Sequence, residues 1–311
     1  MLGKFWEAVS GRLADRWATV AAPALVFWLG GLLAWAYHRG GLHELSVLTG
    51  WLDRQTNVTQ LAVLLTVLLA VFASGVIVDR LTTPMLRLLE GYWPSWLGRL
   101  RSRLIKRIQD QAIKDDIAWQ ELARHMQPSA QATATAEQLA TFARLDQKQR
   151  RRPATPNRYL PTKVGNILRA GETWPAVKYG LDAVAVWPRL WLMLSDSTRR
   201  ELIAARAALD SAVAAAIWGL LFSVFTVWAP LALPLGLGVA AVAVTVWAPP
   251  RAEIFADLIE AAYDLHRTAL YQQLRWPYPT NPKQEHRQGQ QLTAYLWRGS
   301  EDPDPTFTPP P

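Results

Sequence analysis

The longest uncharged stretch of the chain, residues 211–250, limits its fold most strongly. It contains no Asp, Glu, Lys, Arg or His. A bilayer core needs about 20 apolar residues per helix, so this stretch predicts two membrane-spanning helices. Pro230, Pro234 and Gly236 near its middle favour a tight turn between them. The alternative is a buried hairpin in a large soluble core, which is disfavoured because two more uncharged stretches lie upstream.

Those upstream stretches predict two further spans. The first covers about 18–37 and is flanked by Trp17 and Trp35, as is typical of interfacial anchors. The second covers about 58–78. A cleavable signal peptide is the rival for the first stretch, but the run is too long and lacks a convincing cleavage site, so we expect an uncleaved anchor.

The third and fourth spans are expected within the central uncharged stretch. Ser195, Asp196 and a capping box from Thr198 to Glu201 predict the start of a helix of about 30 residues that ends near Pro230. A fourth span, from about Leu231 or Gly236 to Ala248, should end at the proline pair that follows it.

The sequence therefore predicts an all-α membrane protein: four transmembrane helices with a basic helical cytosolic domain. The expected divisions are an N-terminal interfacial helix and first hairpin (1–78), a cytosolic helical domain (79–210), a second hairpin (211–250), cytosolic amphipathic helices (251–298) and a disordered tail (299–311).

Charge predicts the orientation of the spans. The segment 79–210 carries 22 Lys and Arg against 13 Asp and Glu, a net charge of +9. The loop between the first two spans has only Arg39 and Arg54, balanced by Glu44 and Asp53. Basic residues stay on the cytosolic side, so both termini should be cytosolic, and we expect a bacterial inner (plasma) membrane.

A basic amphipathic helix is predicted at 95–111, beside the second span. Such a helix suits the anionic inner leaflet, although an ordinary packing helix with a solvated basic face is an equal alternative. The candidates for binding lipid or another anion are Arg99, Arg101, Arg103, Lys106, Arg107 and Arg189.

Two other segments leave alternatives open. The apolar run 181–194 is too short to span a bilayer and is either interfacial or re-entrant. The basic run 149–152 is suited to phosphate contacts, but such runs are more often simply solvated.

Small residues repeat every four positions in two of the spans. Helices associate in lipid through close backbone approach, so these ridges predict packing faces, against each other or across a subunit boundary. Small residues are also simply common in such helices. The candidates are Ala62, Thr66, Ala70, Ser74, Ser211, Ala215, Gly219 and Ser223.

Signals for catalysis are weak. The chain has no Cys. An intramembrane active site would need ionisable residues within the spans, and the predicted spans contain no Asp, Glu, Lys, Arg or His. Zinc-protease, phosphate-loop and serine-hydrolase motifs are absent. Glu260, Asp264 and His266 form one weak cluster, and Glu121 with His125 a second; a solvated helix face is the favoured interpretation of both. No catalytic residue, metal site or cofactor is predicted.

The segments LPTKVGNILR (160–169) and YGLDAVAVWPRL (179–190) resemble a pattern in an uncharacterised family of multi-pass membrane proteins of cyanobacteria and actinomycetes. The resemblance extends to YDLHR at 263–267 and YLWRG at 295–299. It implies membrane location and a bacterial source. No activity is established for that group, so no catalytic residue is carried over.

These features together favour a non-enzymatic scaffold or accessory subunit. Its expected partners are the bilayer, anionic inner-leaflet lipids and an unidentified protein; no nucleic-acid partner is expected. An oligomeric channel is the first alternative, with Thr66, Ser74, Ser223 and Thr226 along a narrow path, and it would require a homo-oligomer. A lipid-modifying enzyme using Asp182, Arg189 and His266 is the second.

Overall fold

The computed structural model describes residues 2–125 and 135–309, and side chains from residue 21 onward except at 47, 48 and 125. The described residues form helices and connecting loops without a strand, which confirms the all-α prediction. The helices are α1 (Leu2–Arg39), α2 (Glu44–Asp53), α3 (Asn57–Glu90), α4 (Gly98–His125), α5 (Ala136–Arg150), α6 (Lys163–Tyr179), α7 (Ala183–Met193), α8 (Asp196–Phe222), α9 (Ala232–Val242), α10 (Ala248–Gln273) and α11 (Pro282–Arg298).

Four helical segments are long and apolar enough to cross a membrane, as the sequence predicts. They are Ala21–Arg39, Asn57–Arg124, Asp196–Val227 and Ala232–Gln273. The second of them continues from α3 into α4 through a short 3-10 turn at Ser95–Leu97.

The chain divides into two compact units. The apolar unit comprises Met1–Leu86 and Asp210–Ala248, and the basic unit comprises Arg87–Leu209 and Pro249–Pro311. The basic unit holds 27 Lys and Arg against 19 Asp and Glu, so it carries the whole net charge of +8. The middle and C-terminal parts of the chain therefore belong to one folded body.

The apolar unit packs around small residues of α1. A Cβ added to Gly31 would lie 2.3 Å from the ring of Phe225, and one on Gly30 would meet Phe222. The indole of Trp28 donates to Ser74 Oγ at 3.1 Å, which links α1 to α3. Many large apolar side chains point outward in this unit, among them Val58 and Val227. A lipid bilayer surrounding the unit would favour such outward-facing apolar side chains.

The core of the basic unit lies between α6, α7, α8, α10 and α11. Its buried apolar members include Leu181, Val186, Leu190, Leu194, Leu202, Tyr263, Leu270, Tyr271, Trp276 and Leu292. α4 packs separately against α5, where Trp119 stacks on Phe142 with 5.7 Å between ring centroids.

The proline pair does not end the helix of the fourth span, so the expected helix end is wrong, although the boundary between the two units does lie between Ala248 and Pro249. α9 continues through a π-helical turn (Ala243–Trp247) directly into α10, whose first turn holds Pro249 and Pro250. In the π turn the amide of Ala248 donates to the carbonyl of Ala243, five residues earlier. The wider turn has already broken the ordinary hydrogen-bond pattern, so the missing proline N–H groups cost little.

One smaller expectation also needs correction. α8 begins at Asp196, and Ser195 Oγ accepts from the amide of Thr198, so Ser195 is the cap and the box at Thr198 is not the start. In the C-terminal tail, Thr308 exchanges two hydrogen bonds with Arg275 and Phe307 contacts Trp276.

Candidate functional site

Four basic side chains of α4 repeat at helical spacing on one exposed face, which we call the basic stripe. They are Arg99, Arg103, Lys106 and Arg107. Trp96, immediately before the helix, is 78% exposed, and Leu100 is also exposed. Positive charge interleaved with exposed apolar side chains is typical of helices that contact lipid headgroups.

Arg101 is a sequence candidate that the structure places on a different side of α4. It shares its side of the helix with Ile108 and Asp115, which lie seven and fourteen residues on. Asp115 is buried and pairs with Lys148 of α5 and with Arg152 just beyond the end of that helix. Arg101 Nε is buried and has no hydrogen-bond partner among the described residues. Arg101 therefore belongs to the packed side and not to the basic stripe.

Arg189 lies on α7, apart from the basic stripe in the sequence. Its Nη1 donates to the carbonyl of Ala185 at 2.6 Å. α7 buries Val186 and Leu190 on one side and exposes Val184 and Leu192 on the other. With 11 residues it is too short to cross a bilayer. The exposed apolar side suits an interfacial helix.

Ion pairs hold α5 in the basic unit. Asp115 of α4 is 7% exposed and accepts from both Lys148 and Arg152. Arg151 pairs with Asp257 of α10, where Nη2 lies 2.8 Å from Oδ2. Hydrogen bonding to Asp257 raises the pKa of Arg151 above its ordinary value. The run at 149–152 is therefore largely built into the fold.

The acidic cluster of α10 is also engaged in structural contacts. Glu260 pairs with Lys178 of α6, and Asp264 accepts from the hydroxyl of Tyr179. Burial, followed by this hydrogen bond, raises the pKa of Tyr179 to about 12. These pairs fasten the end of α6 to α10.

Arg267 completes this network. Its Nε lies 2.7 Å from Glu285 of α11, and its guanidinium lies 4.1 Å from the centroid of the Tyr179 ring. The sequence prediction did not include Lys178, Tyr179 or Glu285, because their contacts depend on tertiary packing. Oppositely charged residues that are far apart in the sequence cannot be matched as partners without the fold.

The remaining polar candidates have local roles or lie outside the described side chains. Asp182 caps α7 by accepting from the amides of Val184 and Ala185. His266 is half-buried beside the ion pairs of α10. The side chain of His125, the partner proposed for Glu121, is outside the described set. Within the described residues no three His, Asp or Glu side chains are grouped to hold a metal ion.

The two small-residue ridges occupy different surroundings. Ala62, Thr66 and Ala70 of α3 are exposed, and Ser74 is half-buried. On the other ridge, Ser211 is exposed, Ala215 and Ser223 are half-buried and Gly219 is buried. Gly219 lies against α9, where an added Cβ would be 2.8 Å from both the carbonyl oxygen of Gly236 and the amide of Ala240.

The hydroxyl groups considered for a polar path bond within their own helices. Thr66 donates to Ala62, and Ser74 donates to Val71, at 2.8 and 2.7 Å. Thr226 donates to the carbonyl of Ser223 at 2.7 Å. Ser223 itself lies 3.5 Å from the carbonyl of Gly219. Hydroxyls in apolar surroundings typically make such back-bonds.

Comparison with known proteins finds no relative of this chain. No family model matches it, and no curated protein or solved structure matches it either. Function must therefore be inferred from the contacts, burial and charge of the chain's own residues.

Proposed function

We propose that this protein is a non-enzymatic, multi-pass scaffold or accessory subunit of a bacterial inner membrane. Four helices cross the bilayer and both termini are cytosolic. The basic unit lies in the cytosol and contacts anionic lipid headgroups through the basic stripe of α4. The exposed combination of this stripe with Trp96 is the observation that carries the proposal.

The position of α4 in the chain supports contact with the membrane surface. α4 begins eight residues after α3 ends, and α3 contains the second span. This short connection limits the distance between the start of α4 and the end of α3. Trp96 stands at this start, and Trp prefers the interfacial depth of a bilayer.

The energetics favour lipid contact over simple solvation. Each basic residue near an anionic leaflet contributes about 1 kcal/mol, so the four residues of the stripe supply roughly 4 kcal/mol at low salt. The contribution is screened within a Debye length, so it should weaken as ionic strength rises.

The contacts of the acidic residues support a role without catalysis. Glu260, Asp264 and Glu285 each have structural partners. A catalytic acid or base needs a geometry free to meet substrate, and these side chains instead join α6, α10 and α11.

The proposal is tested by a fluorophore placed on α4. Since the chain has no Cys, Ser102→Cys provides a unique labelling position next to the stripe. The full-length labelled protein is reconstituted in nanodiscs of zwitterionic lipid or of zwitterionic lipid with anionic lipid. We expect a blue-shifted emission only with anionic lipid, and loss of this shift at high salt.

The control is the same labelled protein with the stripe neutralised by Arg99→Gln, Arg103→Gln, Lys106→Gln and Arg107→Gln. All four residues are exposed, so folding should be retained. Loss of the lipid-dependent shift supports the proposal. An emission that ignores lipid charge in the unaltered protein rejects it and leaves an acidic protein partner as the target of the stripe.

A further inference from the structure

A cleft of about 430 Å³ lies between α4, α5 and α6 in the basic unit. Its walls are formed by aliphatic stems and charged ends of long side chains. The lining residues used below are Arg144, Lys148, Arg151, Arg152, Lys163 and Glu253. None of these belongs to the basic stripe of α4, so the cleft is a separate surface.

Three of the five cations in the cleft have carboxylate partners. Lys148 and Arg152 share Asp115. Arg151 pairs with Asp257 and lies 3.8 Å from Glu253. These pairs fix the side chains in place, which reduces the entropy that a ligand would otherwise have to overcome.

The other two cations, Arg144 and Lys163, make no ion pair with any residue that the structure describes. Both are exposed at the mouth of the cleft. The five cations face three carboxylates, those of Asp115, Asp257 and Glu253. The cleft therefore keeps two uncompensated positive charges.

The arrangement of these groups follows from helix geometry. Arg144 and Lys148 stand on successive turns of α5 and so project from one side of it. Arg151 follows the helix directly as its C-cap residue and lines the same cleft. Lys163 is the first residue of α6, a helix of 17 residues capped by Thr162. The amide end of α6 adds to the positive potential on the opposite wall. The cleft thus presents positive groups from two helices to one space.

We propose that this cleft binds a phosphate monoester, either as a free small molecule or as the headgroup of a phosphate-bearing lipid. A phosphate monoester carries a charge of about −1.5 to −2 at neutral pH, which matches the uncompensated charge of the cleft. Guanidinium groups bind phosphate oxygens through paired N–H donors, and a lysine adds a point charge. Arg144 and Lys163 make the decisive contacts. This inference does not depend on the proposed function.

Binding is measured by calorimetry on the full-length protein in nanodiscs of zwitterionic lipid, with glycerol 3-phosphate as the probe at physiological ionic strength. We expect saturable binding with one site per chain. Arg144→Gln combined with Lys163→Gln should weaken it by about tenfold or more, because each substitution removes a charge-assisted hydrogen bond. Both side chains are exposed, and circular dichroism checks that the variant keeps its helix content.

The matched control is Arg99→Gln with Arg103→Gln, which removes the same number of charges from the basic stripe. This control should bind the probe as the unaltered protein does. Repeating the titration in nanodiscs with phosphatidic acid assigns the source: competition shows that the lipid headgroup occupies the cleft, and unchanged affinity shows that a free ligand does. No saturable binding, or equal loss in the cleft variant and the control, overturns the proposal.

Discussion

Gly219 of α8 and Gly236 of α9 face each other with their backbones in close approach. A Cβ on Gly219 would lie 2.8 Å from the carbonyl oxygen of Gly236, and a Cβ on Gly236 would lie 2.5 Å from the carbonyl oxygen of Gly219. Neither distance leaves room for a methyl group. Lipid tails are as apolar as side chains, so such backbone contact is the main source of attraction between membrane helices.

Gly219→Ala should therefore destabilise the apolar unit. The added methyl group meets backbone atoms, which cannot move aside as a flexible side chain can. We expect a loss of roughly 1–3 kcal/mol, the range typical of overpacking, measured by unfolding of the full-length protein in mixed micelles.

Gly238→Ala is the matched control, since it is a glycine of the same α9 with nothing within 4 Å of an added Cβ. The control should leave stability unchanged or raise it by up to about 1 kcal/mol, because Ala favours helix more than Gly does. Equal effects of the two substitutions would contradict the close contact between α8 and α9.

In the basic unit, Gly289→Ala should loosen α11. A Cβ at Gly289 would lie 1.9 Å from the carbonyl oxygen of Tyr179, so α11 would have to move away from the end of α6. We expect faster proteolysis of the C-terminal segment and a lower melting temperature. Gly98→Ala, at the start of α4, has open space around it and serves as the control. Proteolysis at the control's rate would show that α11 does not pack against α6.

Asp115→Ala should weaken the contact between α4 and α5. It leaves Arg152 and Lys148 without their shared carboxylate, and we expect a loss of about 2 kcal/mol. Asp110→Ala removes an exposed carboxylate from the same helix and should change stability by less than about 0.5 kcal/mol. Chemical denaturation of each variant measures the difference; a smaller loss for Asp115 than for Asp110 would be inconsistent with the buried pair.

Tyr179 should give the basic unit a stability that depends on alkaline pH. Folding raises the pKa of Tyr179 from 10.0 to about 12, so the neutral phenol is favoured in the folded state. The resulting contribution is complete below pH 10 and is lost as the pH rises towards 12. The free energy difference between the unaltered protein and Tyr179→Phe should be constant below pH 10 and shrink above it. A difference that grows with pH would reverse the assigned sign.

Local signals in the sequence were sufficient for many elements. Uncharged runs identified the four candidate spans. Three helices begin after a residue whose side chain caps them by a hydrogen bond, as is usual for Thr and Asn at that position: Thr135, Thr162 and Asn281. These features depend on residues that are close in the chain, so they can be predicted from it.

The remaining features depend on distant partners. Arg101 looked equivalent to Arg99 and Arg103, and only the burial of its Nε in the folded chain separates them. The cluster of Glu260 and Asp264 looked like a solvated face until Lys178 and Tyr179 of α6 were placed beside it. The helix end expected at the proline pair was wrong because a π turn precedes the prolines. No residue pattern in the sequence predicts such a turn.

The most direct measurement concerns the four spans themselves. Single cysteines are introduced at Ser46, between the first two spans, and at Thr306 in the C-terminal tail; both positions are exposed. Intact cells that express each variant are treated with a membrane-impermeant maleimide. The account predicts labelling of the Ser46 variant from outside and labelling of the Thr306 variant only after the cells are opened. External labelling at Thr306, or protection of both positions because the protein is soluble in the cytosol, would contradict it.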